Sequence, residues 1–516
     1  MRNTIGANAA RGRILRSTQA LFARQHRTFL FSLVLAGTRA RFLLLDRSGV
    51  LISESFDYVH SPDVLAGFLW RFAHMDAAAR GLDASAVLAT RHEAALFADA
   101  VHAFLDPAEP SHAARALPDA ELSLDHTDTY PIWKITVPGA AGPTELVAQR
   151  PFAGRPALVG RCMRGYLAYD LHARRLVFLK DTWRWDEPRL RPECDVYRQL
   201  EEAGVPSVPR VEYGGDVGGA DGSGTRVGGL CEEKPEWLSV GRGLKGFVHH
   251  RVVQDVTYSL DTVRDERELI QALHDTIIAL DKTYDDLGIL HRDLSVENIR
   301  LDAHSRCVLS DWDCAGPPAR SGEPFGTSQF MSTRLHYDPP CQNTLTDDLQ
   351  SVFWVLAVVA TSRFARTRAG LPHALLAPEP GTCGLAALVN AKAEVLRRGG
   401  KLWEARFGCK ALEELLGGLT EAWGEYSRAG EGDMCDARSG EIRDQVARPD
   451  FWRKKFAAAL RVLDEEEAAR DGLSAAVPTS CAGSKRKAVE DLDECVCRGA
   501  RRSKRLRAMR DGARCL

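Results

Sequence analysis

The run His291-Arg292-Asp293-Leu294-Ser295-Val296-Glu297-Asn298 is followed, thirteen residues past Asn298, by Asp311-Trp312-Asp313. One carboxylate, an amide five residues later and a second carboxylate are thus set among short apolar runs, Leu287-Gly288-Ile289-Leu290 before and Cys307-Val308-Leu309 after. Phosphoryl transfer from ATP needs that combination. Asp293 can accept or orient an attacking hydroxyl, while Asn298 and Asp311 can hold Mg2+ against the triphosphate. The plain alternative is a charged surface loop between two strands. It explains the charges but not an amide at that offset followed by a strand and a second aspartate.

Such a loop works only if other elements bring a cation to the nucleotide. Arg175-Leu176-Val177-Phe178-Leu179-Lys180 reads as an apolar strand ending in lysine. A flexible cation on a rigid strand can neutralise α- and β-phosphates without blocking the nucleotide. Lys180 stands fifteen residues after Gly165, in Leu158-Val159-Gly160-Arg161-Cys162-Met163-Arg164-Gly165. Gly160 and Gly165 match the outer glycines of a phosphate-covering turn, and Cys162 replaces the middle one. Glycine lets backbone N–H groups approach phosphate oxygens closely. Glu193 lies thirteen residues past Lys180 in a helical stretch and is the expected carboxylate partner, with Glu201 and Glu202 as substitutes on the same helix.

The chain is 516 residues long, 45% apolar and 27% charged, which fits a folded protein of more than one compact unit. Its longest apolar run, Val352 to Ala360, is half of the ~18 residues needed to cross a bilayer and reads as a buried helix. No membrane partner is expected. The thirteen cysteines all lie at or after Cys162 and form no CxxC pair, which argues against a disulfide framework or a zinc site and for reduced thiols in the cytosol or nucleus. Net charge is −2, yet Ser484–Arg510 holds ten Lys/Arg against four Asp/Glu. The clusters Ser484-Lys485-Arg486-Lys487 and Arg501-Arg502-Ser503-Lys504-Arg505-Leu506-Arg507 fit a bipartite nuclear-import signal and an import receptor as partner. No aromatic interleaving or reading helix accompanies them, so a nucleic-acid arm is not expected.

Six arginines and no acid in residues 1–28 fit a basic amphipathic helix; a mitochondrial presequence would share that composition. Residues 30–55 predict two strands around a glycine turn, Pro62 to about Val101 a helical stretch, and 145–215 a strand-rich one. Gly214–Gly229 is dense in glycine and predicts a flexible surface loop, without the Lys-Ser/Thr of a phosphate-binding Walker loop. From Asp265 to Leu463 helices dominate, and 466–516 reads as disordered.

Taken in order, these residues resemble the fungal-type protein kinase family. The match is carried by Gly288 to Ser295, by Leu309-Ser310-Asp311-Trp312-Asp313 (DWD where ordinary kinases have DFG), by Gly326-Thr327-Ser328-Gln329-Phe330-Met331-Ser332, and by Asp347-Asp348-Leu349-Gln350-Ser351. Gln25-His26-Arg27-Thr28-Phe29, Leu45-Asp46-Arg47-Ser48-Gly49-Val50, Trp70-Arg71-Phe72 and Val177 to Trp183 extend it over roughly residues 10–460. The resemblance implies an α+β, bilobal protein-kinase-like fold. Its parts would be an α/β N-terminal accessory segment (1–155), a small β-rich N-lobe (156–255), a larger helical C-lobe (256–464) and a disordered basic C-terminal tail (465–516). It implies ATP and Mg2+ as cofactors and a protein substrate, with Asp293 as catalytic base. Asn298 and Asp311 would bind metal, Gly160, Gly165, Lys180 and Glu193 would hold ATP, and Arg292 would couple the catalytic loop to the activation segment. Thr327 would bond near Asp293, and Asp348 would hold the catalytic loop from below, helix capping by Asp347 or Asp348 being the plain alternative.

Three positions depart from the ordinary kinase pattern. Ser295 stands where Ser/Thr kinases carry a phosphate-contacting lysine, Asp313 replaces the DFG glycine, and Cys162 replaces the middle loop glycine. Lys180, Asp293 and Asp311 are all retained, so an active Ser/Thr protein kinase is expected. A small-molecule kinase of the aminoglycoside or choline type and a nucleotide-binding pseudokinase scaffold are the alternatives.

Overall fold

The apolar run Leu176–Leu179 opens the strand Arg175–Trp185, the longest among the described residues, which lies inside a seven-stranded sheet. In the computed structural model the described residues are 5–106, 123–125, 129–152, 157–187, 190–218, 224–233, 244–318, 326–337, 341–366, 371–376, 384–404, 406–431 and 437–475. They fall into two units, Met1–Leu463 and Asp464–Leu516.

The first unit opens with helix α1 (Ile5–Arg24), then β1 (Phe29–Ala36) and β2 (Arg39–Asp46), antiparallel through a turn at Gly37 (φ 61°). β2 also pairs with β3 (Val50–Ile52) and β4 (Phe56–Asp57), so the expected pair of strands is a four-stranded sheet. Helix α2 (Pro62–His74) sets Phe68 against Phe31 and Phe42 of that sheet. The helical stretch expected up to Val101 is broken by β5 (Ala86–Leu88), and α3 (Arg91–Leu105) restarts at a capping box between Thr90 and Glu93. The break is not visible locally, because β5 is fixed by pairing with β6 (Trp133–Val137), some fifty residues on.

β7 (Thr144–Ala148), β8 (Arg164–Asp170) and β9 (Arg175–Trp185) follow, then α4 (Glu193–Glu202), β10 (Val211–Asp216), α5 (Arg226–Glu233) and β11 (Phe247–Gln254). Strands β5 to β11 form one antiparallel sheet in the order β10-β11-β9-β8-β7-β6-β5. The boundary expected at residue 155 therefore runs through a continuous sheet: β5, β6 and β7 come from the segment expected to be separate. The glycine-rich run is also not a loop throughout. Gly214 and Gly215 lie within β10, and Gly228 and Gly229 within α5. A Cβ on Gly214 would stand 2.7 Å from the Arg251 carbonyl oxygen, so close strand packing rather than flexibility selects glycine there.

The remainder is mainly helical, as expected. A small sheet of β12 (Tyr258–Ser259), β13 (Ile299–Leu301) and β14 (Cys307–Leu309) flanks α6 (Glu266–Leu287), which is capped by Asp265 and stopped by Gly288 at φ 64°. Then come α7 (Thr333–Tyr337), α8 (Leu345–Arg363), α9 (His373–Leu376), α10 (Leu385–Arg398), α11 (Lys410–Glu431), α12 (Ala437–Val446) and α13 (Pro449–Ala475). The apolar run Val352–Ala360 is the buried middle of α8 and belongs to the same core as Trp403, Trp423 and Trp452. The division after Leu463 falls beside the boundary expected at 465, helix α13 itself runs on to Ala475, and both basic clusters lie outside the described residues.

A chain of residues 156–475 is expected to lack cooperative unfolding, whereas 1–475 should melt in a single transition. Without β7, the edge of β8 and the apolar surface on which Leu146, Val147 and Ala148 are buried would be open to water. A soluble 156–475 fragment with its own sharp thermal transition would show that the sheet divides at 155.

Candidate active site

Strand pleating sends neighbouring residues of β9 to opposite faces. Lys180, buried, donates to Glu193 Oε2 on α4 (2.7 Å) and to Asp311 Oδ1 (2.5 Å), with Asp313 Oδ2 at 3.8 Å. Burial opposes its charge, yet the Asp311 and Glu193 carboxylates hold the Lys180 ammonium protonated, well above the ordinary lysine range. Glu193 is the partner, while Glu201 and Glu202 are exposed. The next residue, Asp181, is buried on the other face. It accepts from Arg164 (2.5 Å), meets His249 Nε2 (2.5 Å) and lies 3.4 Å from Arg251 Nε. Burial opposes the Asp181 charge, yet Arg164 with His249 and Arg251 beside it holds the carboxyl well below the ordinary carboxylate range.

The catalytic-loop candidates form a closed hydrogen-bonded set. Asp348, in the first turn of α8, accepts from the backbone N–H of His291 (2.9 Å) and of Arg292 (3.0 Å). Its neighbour Asp347 takes the capping role, accepting from the N–H of Thr344 (2.8 Å) and the hydroxyl of Ser332 (2.6 Å). The two carboxylates thus divide the two roles the sequence left open. Arg292, at φ 70°, donates to the carbonyl of Pro317 and so ties the loop to the stretch after Asp313. Asn298 Nδ2 donates to the Asp293 carbonyl (2.7 Å), and Ser310 N to the Asn298 carbonyl (2.8 Å), which sets Asn298 beside the residue preceding Asp311. Thr327 binds Asp293 Oδ1 through both its N–H (2.9 Å) and its hydroxyl (2.8 Å). Burial pushes the Asp293 carboxyl up to about 6, with the Asp311 charge adding to it and the Thr327 hydroxyl opposing. Burial also takes His291 down to about 4. As neutral imidazole it donates through Nε2 to Ser310 O (3.0 Å) and accepts through Nδ1 from Asp293 N (3.3 Å).

Asp311 is held at φ 64°, and its N–H donates to the Tyr197 hydroxyl of α4 (2.9 Å). Trp312 is fully buried, edge-on to His291 at 4.7 Å between ring centroids, and donates to Leu309 O (2.9 Å). Asp313, which stands where ordinary kinases carry the DFG glycine, forms an ion pair with Arg161 of the loop before β8. Gly165 lies in β8 directly across from Lys180, and Gly160 turns the loop at φ 100°. Cys162 adopts φ 46°, so cysteine takes up the left-handed conformation that glycine would supply.

A family model described as fungal protein kinase matches residues 3–360. The chain belongs to the fungal protein kinase family. No curated protein matches. Among solved structures, a chain from the crystal structure of the yeast RNA Pol II CTD kinase CTDK-1 complex is similar at 12% identity and a TM-score of 0.29, over 46% of this chain and 66% of that one.

In this fungal protein kinase all ten residues singled out from sequence lie in one connected region. Sequence reasoning missed the residues that hold them there. Arg161 was passed over although it adjoins Gly160, and Tyr197 gave no signal beyond the helix that carries it. Lys392 of α10 gave none: it is fully buried and donates to the carbonyls of Met331 (2.5 Å) and Ser328 (3.3 Å). Together with the Arg334–Asp347 ion pair it anchors the segment after Thr327.

Asp348→Ala would strand two buried N–H groups, and each unpaired group costs about 1–3 kcal/mol. Urea denaturation should show at least ~2 kcal/mol of destabilisation by that rule. A loss within error would mean that the catalytic loop does not depend on Asp348.

Proposed function

We propose that this kinase transfers the γ-phosphate of ATP to Ser or Thr hydroxyls of protein substrates, with Mg2+ held by Asn298 and Asp311. The observation that carries the reading is the simultaneous contact of Lys180 with Glu193 and Asp311. A buried ion pair adds little net stability over apolar packing, so the buried Lys180 and Glu193 converging with the partly exposed Asp311, from a strand, a helix and a loop, are better explained by a charged ligand. With Asn298 Nδ2 committed to the Asp293 carbonyl, the amide oxygen is left as a metal ligand beside the Asp311 carboxylate. The metal, when bound, would neutralise the phosphates and favour departure of ADP.

The chain's own residues then do the rest. Lys180 binds the α- and β-phosphates, and Glu193 keeps its ammonium aimed. Asp293 receives the hydroxyl proton as the substrate oxygen bonds to the γ-phosphorus and the bond to the bridging oxygen of ADP breaks. Thr327, bonded twice to Asp293 Oδ1, fixes that carboxylate and leaves Oδ2 for the substrate hydroxyl. Ser295 is buried and brings no cation; the Arg161 guanidinium, drawn toward Asp313, Asp311 and Asp293, is the cation at the phosphate end. A protein rather than a small-molecule substrate is supported by the Arg292–Pro317 tie and by the firmly anchored residues 327–334. In this reading the β-rich lobe includes β5 to β7, and the helical lobe begins near residue 256.

Transfer of labelled γ-phosphate to a protein array, with Asp311→Ala as the blank, is the direct test. Asp293→Asn should lower kcat by about 10²–10⁴, the usual contribution of a positioned base. Unchanged transfer by Asp293→Asn would remove the catalytic assignment. Labelling of aminoglycosides or choline but of no protein would favour the small-molecule alternative.

The acid limb of the pH profile is expected to bend near pH 6, because Asp293 must lose its proton to act and burial has raised its pKa. Thr327→Val removes a donor that favours the ionised form, so the bend should move to higher pH, with activity at pH 6 falling more than at pH 8. An unmoved limb would mean that another group controls it.

A further inference from the structure

The amino-terminal segment brings two of its motifs against the nucleotide loop. Gln25-His26-Arg27 sits over the charge ladder on the far face of the sheet. Register places Arg164, Asp181 and Arg251 side by side on β8, β9 and β11. His26, kept neutral by burial and by Arg164, meets the Arg164 guanidinium at 3.1 Å. Asp83 meets Arg251 at 2.6 Å. The second motif is the tight turn Asp46-Arg47-Ser48-Gly49. Asp46 Oδ1 accepts from Ser48 N (2.8 Å), while Oδ2 accepts from Val227 N (2.7 Å). Ser48 shares a hydrogen bond with Thr225 (2.5 Å) and donates to Lys245 O (2.6 Å). The turn is therefore locked to α5 and to the approach to β11.

Arg47 projects from this locked turn to the loop before β8. Its guanidinium lies 4.2 Å over the Phe22 ring of α1 and donates to the carbonyls of Ala157 (3.1 Å) and Leu158 (3.4 Å). Its own carbonyl accepts from Gly160 N (2.9 Å). On the other side, Trp183 N donates to Arg161 O (2.8 Å), as does the Thr182 hydroxyl (3.1 Å). Residues 157–161 are thus pinned between the amino-terminal turn and β9. We infer that the amino-terminal segment is a working part of the nucleotide site: Arg47 is a positioning residue that fixes the phosphate-covering loop and, through it, the Arg161 guanidinium. This rests on the phosphotransferase reading above. It gives the segment a task, replacing by an external brace the self-adjusting glycine that the loop has lost at Cys162.

The test uses the full chain and four forms: wild type, Arg47→Ala, Arg47→Met and Arg47→Lys. Methionine keeps apolar contact with Phe22 but has no donor, and lysine restores one. Displacement of a fluorescent ADP analogue by ATP, and the KM values for ATP and for a protein substrate, are read for each, with thermal melting as the folding control. Arg47→Met should weaken ATP about tenfold, the size of one charge-assisted hydrogen bond, and leave the KM for protein within twofold; lysine should recover most of the loss. If Arg47→Ala fails to fold, the Met and Lys pair still decides. Folded Arg47→Met with wild-type ATP affinity overturns the inference alone. Wild type that binds no nucleotide overturns the phosphotransferase reading, and this inference with it.

Discussion

Two consecutive charged residues buried on one central strand govern the architecture. Lys180 and Asp181 face opposite sides of the sheet because side chains alternate along a strand. Neither can remain ionised in the interior without partners, since an unpaired buried charge costs far more than folding can spare. Lys180 therefore draws Glu193 from α4 and Asp311 from the loop after β14 to one side. Asp181 draws Arg164, His249 and Arg251 to the other, with His26 and Asp83 of the amino-terminal segment completing that cluster. The spacing of the candidate site and the docking of the amino-terminal segment are two faces of one electrostatic requirement.

This explains why α4 is placed so firmly although it spans ten residues. Its first residue, Glu193, pairs with Lys180, and Tyr197, one turn later, accepts from the N–H of Asp311. Cys194, Val196 and Leu200 are buried on the same short helix. A shift of α4 would break a charge contact and a backbone contact together and expose apolar surface, so intermediate positions are disfavoured. The catalytic loop has the same character: Asp348, Thr327 and Asn298 each bind its backbone or Asp293, and neutral His291 bridges it to Ser310 without adding charge.

How far the sequence revealed all this depended on whether the deciding interaction was local. The loop from His291 to Asn298, the DWD aspartates and Lys180 were legible because phosphate chemistry imposes residue types at fixed spacings. Glu193 was legible as a helix carboxylate at the right distance. The sheet that ignores the boundary at 155 was not, since β5 has three residues and acquires its meaning only from a partner some fifty positions away. Gly214 and Gly228 were read as flexibility from composition. In fact Gly214 is excluded from bearing a side chain by the Arg251 carbonyl, and Gly228 by the hydroxyls of Ser48 and Thr225, at 2.8 and 2.7 Å from a built Cβ. Composition reports that glycine is tolerated, whereas neighbours decide why it is needed.

The departures from the ordinary kinase pattern look like independent erosion when read along the chain. In space two of them belong to one set. Cys162 at φ 46° accepts a left-handed strain of roughly 1–2 kcal/mol that glycine would avoid. The adjoining Arg161 pairs with Asp313, the residue that replaces the glycine of DFG. Asp313, held ionised by Lys180 and Arg161 despite burial, in turn lacks the backbone freedom that a glycine would have there. Each change removes freedom, and the Arg161–Asp313 pair joins the two places where freedom was lost. A site stiffened in this way relies on being assembled correctly from the start, which gives a segment far upstream in sequence a physical reason to be packed against it.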